Sequence, residues 1–119
     1  PTTAQVAALE ALLHGENHVR SMVSEYDRRR RLIVDGLNKL GLKTFEPRGA
    51  FYAFPLIKAS GMDDEAFAEA LLLEQHVAVV PGNAFGLGGA GFVRCCYATA
   101  YEQIEEALHR MEKFMQKHG

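Results

Sequence analysis

Few side chains in this sequence are placed to do chemistry, and Arg94 is the foremost. It is the one charge inside the run Phe92-Val93-Arg94-Cys95-Cys96-Tyr97. An arginine in such a run faces solvent, pairs with a carboxylate, or reaches into a site. The third option has a definite chemistry. A planar guanidinium grips a carboxylate through two parallel N–H···O bonds and keeps its charge in a partly dry cleft. A glycine-dense loop, Pro81 to Gly91, feeds directly into that run. Such loops allow close approach of a ligand or a moving partner. The loop holds Gly86-Leu87-Gly88-Gly89-Ala90-Gly91, a literal G-x-G-x-x-G. In a dinucleotide site that motif follows a strand and opens a helix, whose N-terminus receives the pyrophosphate. Here a β-type run follows it. The expected role is a flexible or tightly turned connection between strands.

The remaining candidates read as structural. Arg28-Arg29-Arg30-Arg31 lies on a helical stretch flanked by Glu25 and Asp27. Four consecutive residues spread around a helix and make no single stripe, so a solvated face, or a contact with another part of a larger protein, is expected. His14 and His18 stand four apart, but Gly15 interrupts the helix that would make them converge on a metal. Cys95 and Cys96 point to opposite faces of a strand, so a bridge between them is not expected. No serine or cysteine has a histidine in a recognisable nucleophile arrangement. The acidic pairs Asp63-Asp64 and Glu105-Glu106 are explained by helix caps and solvation. No metal ligand set and no complete catalytic set is expected in this chain.

The elements that must position Arg94 follow from periodicity. Thr2 or Thr3 caps a helix from Ala4 to about Leu13, and Gly15 ends it. Asn17 caps a longer helix with apolar positions Val19, Met22, Val23, Tyr26, Ile33, Leu37 and Leu40, which stops at Leu40-Gly41. Leu42–Glu46 and Ala50–Phe54 read as two strands of a hairpin about Pro47-Arg48-Gly49. Gly61-Met62-Asp63-Asp64 opens a helix, and Val77–Val80 is a short buried strand broken at Pro81-Gly82. Thr99 and Glu102 form a capping box for a last helix with the stripe Ile104, Ala107, Leu108, Met111, Phe114 and Met115. The fold class is α+β: a small, mainly antiparallel sheet with helices packed on one face, preceded by a long connecting helix.

The 119 residues make one domain-sized unit with ordinary globular usage, 48% hydrophobic and 24% charged. Thirteen basic against fifteen acidic residues give a formal net charge of −2, without general attraction to nucleic acid or anionic membrane. No apolar run approaches a membrane span, and no basic-then-apolar leader stands at the start. Cysteine usage fits a reducing cytoplasm. The chain begins at Pro1, which fits either processing or a part of something larger.

Four motifs in order carry a resemblance. Pro47-Arg48-Gly49-Ala50-Phe51-Tyr52-Ala53-Phe54 resembles the P-x-G-A-F-Y-x-F segment of class I/II aminotransferases, the pyridoxal-phosphate enzymes of fold type I. Val77-Ala78-Val79-Val80-Pro81-Gly82-Asn83-Ala84-Phe85-Gly86 is similar to their V-x-V-x-P-G-x-x-F-G segment. Gly91-Phe92-Val93-Arg94 with Tyr97-Ala98 resembles G-x-x-R-x-x-Y-A, and the helix from Glu102 to Arg110 resembles I-x-x-A-L-x-R. Gln5–Leu12 is similar to a helix near the end of the family's large domain. The resemblance runs in order from about residue 42 to 115 and, with that helix, covers nearly the whole chain. It leans toward the aspartate-aminotransferase-like branch.

The resemblance implies a C-terminal small domain over 42–119, led in by residues 1–41 from a missing N-terminal large domain. It implies that Arg94 binds the α-carboxylate of amino-acid and 2-oxo-acid substrates. It places the Schiff-base lysine, the aspartate on the pyridinium nitrogen and most phosphate ligands upstream. Lys39, Lys43, Lys58, Lys113 and Lys117 do not match the lysine motif. The expectation is therefore a cytoplasmic, homodimeric enzyme when full length, with pyridoxal 5'-phosphate not bound by this chain alone and the chain alone inactive. Two other readings stand beside it: a free-standing α+β module binding a carboxylate-bearing metabolite through Arg94, and an interaction or nucleic-acid module using Arg28–Arg31.

Overall fold

The computed structural model describes residues 1–119. Two helices lead in, α1 (Thr2–His14) and α2 (Glu16–Lys39). The strands and later helices follow as β1 (Tyr52–Ala53), α3 (Asp64–Gln75), β2 (Val80–Pro81), β3 (Val93–Cys96) and α4 (Tyr101–His118). The strands form one antiparallel sheet in the order β1-β3-β2. The α+β class and the small antiparallel sheet expected from the sequence are both present.

The lead-in differs from the sequence reading at its joints. Gly15 ends α1 as expected, though without left-handed backbone. It holds right-handed helical values, φ −82° and ψ −6°, and its N–H donates to the Ala11 carbonyl. A Cβ at Gly15 would lie 2.3 Å from the Ala11 oxygen, so glycine is needed here for closeness and not for handedness. Helix α2 starts at Glu16, ahead of the proposed Asn17 cap, and no side chain caps α1 or α2. Gly41, at φ +79°, does end α2 as expected. No residue of α1 is buried, whereas α2 buries Ile33, Val34 and Leu37 near its C-terminus.

The expected hairpin over 42–54 does not form. Thr44 makes one isolated bridge to Pro55, and β1 pairs with β3 instead. The reason lies in α2. The Asn38 side chain accepts a hydrogen bond from the Thr44 N–H at 2.9 Å and donates to the Val34 carbonyl at 2.9 Å, which ties the Thr44 segment to the helix end. The expected strand Val77–Val80 shortens likewise: only Val80 and Pro81 pair with β3, while Val77 is buried in the core. Asp63 caps α3 as expected, accepting from the Ala66 N–H at 2.8 Å. The Thr99 capping box does not form, because α4 begins one residue later, with Ala100 at its cap position and no side-chain bond.

Strand alternation sorts the sheet into two faces. Ala53, Val93, Cys95 and Tyr97 enter the core with Ile33 and Leu37 of α2, Phe67 and Leu71 of α3, and Ile104, Met111 and Phe114 of α4. Phe67 and Phe114 meet edge to face at 5.3 Å. Helices α2 and α4 cross closely at Gly36, where a Cβ would come within 2.4 Å of Leu108. The other face carries Tyr52, Arg94 and Cys96, with Val80 opposite Arg94 and Tyr52 opposite Cys96.

Candidate functional site

Arg94 sits on the central strand, on the face away from the helical core. Its guanidinium carbon lies 4.3 Å from the centroid of the Tyr52 ring and 4.6 Å from that of Phe85. Tyr52 comes from the neighbouring strand β1, and Phe85 from the glycine-dense loop after β2. Phe54 supports Phe85 from the side in an edge-to-face contact at 5.7 Å. Two aromatic faces thus hold one cation in place by quadrupole attraction and by contact.

The charge itself is uncompensated within the chain. Six of the eight arginines, Arg20, Arg28, Arg29, Arg30, Arg31 and Arg110, make ion pairs with carboxylates. Arg48 is exposed in a surface loop. Arg94 alone is half-buried without a carboxylate, and its Nε is closed to solvent with no hydrogen-bond acceptor. A buried donor left unmade costs about 1–3 kcal/mol, more on a charged group. Of the three options that the sequence left open, pairing with a carboxylate of this chain is therefore absent. An arginine stacked between aromatic rings is suited to receive an anionic oxygen from outside.

The loop that delivers Phe85 is not loose. Residues Gly82–Phe85 and Leu87–Gly89 form two short 3-10 turns. A Cβ on Gly82 would lie 2.0 Å from the Gly89 carbonyl oxygen and 2.6 Å from that of Phe92. Gly89 is equally constrained against the Gly82 oxygen at 2.0 Å. The glycines let two backbone segments touch, and no helix follows the motif. Asp64 and Glu65, at the start of α3, tie the loop further: the Asn83 N–H donates to Asp64 Oδ2 at 2.6 Å and its side-chain amide to Glu65 Oε1 at 2.8 Å. From the sequence, Asp64 reads as a helix-start residue only. Its role in anchoring the loop was not visible, since the contact spans nineteen positions.

Other candidates are placed elsewhere. The Arg28–Arg31 run is engaged along its own helix: Arg28 and Arg29 with Glu25, Arg30 and Arg31 with Asp27. Arg28 also stacks on Tyr101 at 3.9 Å, and Arg30 reaches Glu46. These partners hold the Glu25 and Asp27 carboxyls below their ordinary range, chiefly through hydrogen bonds from Arg29 and from Arg30. A concavity of about 560 Å³ lies beside this network between Tyr26, Arg30, Arg48 and Phe51, and does not include Arg94. Its central arginine is already paired twice, so Arg94 is the stronger candidate. His14 meets Glu10 at 2.9 Å on exposed α1. Cys95 is buried and Cys96 exposed on opposite sides of β3, both as free thiols. All five lysines are exposed, and Lys117 is bound to Glu74 at 2.8 Å. No lysine joins Arg94, so these residues do not themselves make a site for an aldehyde cofactor. No helix is long and apolar enough to cross a membrane.

The chain is 51% identical to an aspartate aminotransferase of Pyrococcus abyssi, over 98% of its own length and 30% of the relative's. It is 48% identical to aromatic-amino-acid aminotransferase 2 of Thermococcus litoralis, again over 98% and 30%. Among solved structures, an alanine aminotransferase from Pyrococcus furiosus superposes with a TM-score of 0.91 at 36% identity, covering 96% of this chain and 30% of that one. The chain thus spans about 30% of the length of these relatives, corresponding to their C-terminal part. The sequence model for the aminotransferases of class I and II matches residues 1–111. With its fold, its four ordered motifs and these relatives in agreement, the chain belongs to the class I and II aminotransferase family.

Proposed function

We propose that this chain is the substrate-carboxylate-binding part of an aminotransferase that moves an amino group between an amino acid and a 2-oxo acid. The observation that carries the proposal is the Arg94 guanidinium, stacked between Tyr52 and Phe85, with a buried Nε that no group of the chain satisfies. Amino-acid and 2-oxo-acid substrates both present a carboxylate, so one arginine serves both half-reactions. The fork binds that carboxylate and fixes the orientation of the adjoining Cα. The two rings limit the swing of the fork and keep water from one side of it.

The family generally depends on pyridoxal phosphate, which supplies the electron sink for the amino-group transfer. The residues of this chain do not fit that group, and we assign its binding to the remainder of the full-length protein. The chain alone is then inactive. Residues 42–119 form the small domain and 1–41 the helical lead-in, whose last turns dock Ile33, Val34 and Leu37 into the core. The full-length enzyme is read as a cytoplasmic homodimer. The exposed apolar positions Val6, Leu9, Leu12, Val19 and Met22 of the lead-in support a large partner surface there. Relatives act on aspartate or on aromatic amino acids by name, so we assign the side-chain preference to residues other than Arg94.

The test is Arg94→Lys in the full-length enzyme. Lysine keeps the charge and loses the planar fork. Losing one charge-assisted hydrogen bond costs about 1.5–3 kcal/mol, or about 10- to 150-fold in kcat/KM. The loss is expected for the amino acid and the oxo acid alike. An unchanged kcat/KM for both would remove Arg94 from the site.

A further inference from the structure

We propose that Tyr97 is a positioning residue for Arg94, acting through the turn at Ala50; this rests on the reading of Arg94 as the carboxylate site. Tyr97 is 1% exposed and points to the core side of the sheet, opposite Arg94. Its ring does more than fill space. The hydroxyl donates to the Ala50 carbonyl oxygen at 3.2 Å, across forty-seven positions of sequence. The Tyr97 N–H donates to the Phe51 carbonyl at 2.9 Å. One residue thus holds two successive carbonyls of the segment that leads into β1.

That segment needs holding. Ala50 has φ +55°, left-handed backbone that a residue with a Cβ adopts at a cost of about 1–2 kcal/mol. Two positions on, Tyr52 supplies one of the two faces that clamp Arg94. Between them, Phe51 stacks on Tyr26 at 5.8 Å and packs on Tyr52 at 4.7 Å. If the turn relaxes toward ordinary backbone, the peptide planes on either side of Phe51 rotate and Tyr52 shifts relative to Arg94. The register Tyr52↔Cys96 is the first pair of a ladder only two residues long.

The experiment compares Tyr97→Phe, Ala50→Gly and the double variant in the full-length enzyme, with Arg94→Lys measured alongside. Phenylalanine keeps the ring and removes only the hydroxyl. KM for the amino acid and the oxo acid is expected to rise about three- to tenfold, the range of one lost hydrogen bond, with kcat within about twofold. Glycine adopts φ +55° without strain, so Ala50→Gly is expected to restore KM in the Tyr97→Phe background. A fall in thermal midpoint with unchanged KM would make the hydroxyl a core stabiliser only and overturn the proposal. So would a raised KM that Ala50→Gly does not restore. If Arg94→Lys itself leaves kcat/KM unchanged, the carboxylate reading fails, and the positioning role falls with it.

Discussion

The aromatic clamp can be separated from the charge that it holds. In Phe85→Leu the ring is lost while an apolar side chain of similar reach remains over Arg94. The Phe85 centroid lies 4.6 Å from the guanidinium carbon, well inside the roughly 6 Å range of the cation–π attraction. At a half-buried site that attraction is about 1 kcal/mol, between exposed and desolvated values. One kcal/mol is about fivefold in a binding constant at room temperature. Because the ring orients the fork in free and bound enzyme alike, the loss is expected in KM, with kcat little changed. Tyr52→Leu removes the opposite face, at 4.3 Å, and is expected to cost about the same. Tyr52→Phe keeps the face and loses only the hydroxyl, so it serves as the control and is expected to be near wild type. The two leucine variants share one partner and are closer than the distance at which effects add. The double variant is therefore expected to exceed the product of the singles, since nothing then limits the swing of the fork. Steady-state kinetics on both half-reactions of the full-length enzyme give the answer. Wild-type KM in Phe85→Leu and Tyr52→Leu would refute the clamp. A lowered kcat at constant KM would move the rings from holding the carboxylate to a later step.

Two further predictions concern the body that carries the site. Burial pushes the Cys95 thiol up to about 12, so at pH 8 it stays protonated and enclosed. Peptide mapping after iodoacetamide treatment is expected to leave Cys95 unmodified in the folded protein and to modify it in urea; labelling of Cys95 in the folded state would contradict the core assignment. Glu74 at the end of α3 is held below its ordinary carboxyl value, first by Lys117 and then by His118 of α4. A depressed folded value means that the stabilisation is present above the unfolded value, near 4.5, and is lost as pH falls through the folded one. Urea midpoints of wild type and Glu74→Gln are therefore expected to differ at neutral pH and to converge as pH falls below 4.5 and through the lower folded value; a gap that stays constant throughout acid titration would show that the tie is not ionic.

Much of this fold was legible because its signals are local. The Asp63 cap, the stop at Gly41 and the stripe of α4 are each set within one or two turns of helix. The hairpin failed through contacts that its own turn chemistry does not encode. The hairpin over 42–54 had turn chemistry in its favour, but Asn38 takes the Thr44 N–H and the long-range pairing of Tyr52 with Cys96 wins. The Thr99–Glu102 box fitted its motif and lost to a helix that starts one residue later. At the site, Arg94 was legible as a lone charge in a strand, and the role proposed for it came from guanidinium chemistry together with the resemblance. Neither Tyr52 nor Phe85 was assigned as its partner. The two rings come from segments thirty-three positions apart, and only the sheet order β1-β3-β2 brings both beside the central strand.

That order also explains why an unpaired arginine persists there. A half-buried guanidinium with an orphan Nε is a cost to the folded chain, and an apolar residue on that face would avoid it. Elsewhere the chain leaves no such cost standing: the neighbouring arginines of α2 are matched to Glu25, Asp27 or Glu46. Arg94 has instead been given two rings, which lower the cost of burying the cation while leaving the fork free of any internal acceptor. A carboxylate of the chain in that place would neutralise the charge and close the fork to a ligand. Aromatic support without neutralisation is the arrangement expected of a cation kept for an anion that arrives and leaves.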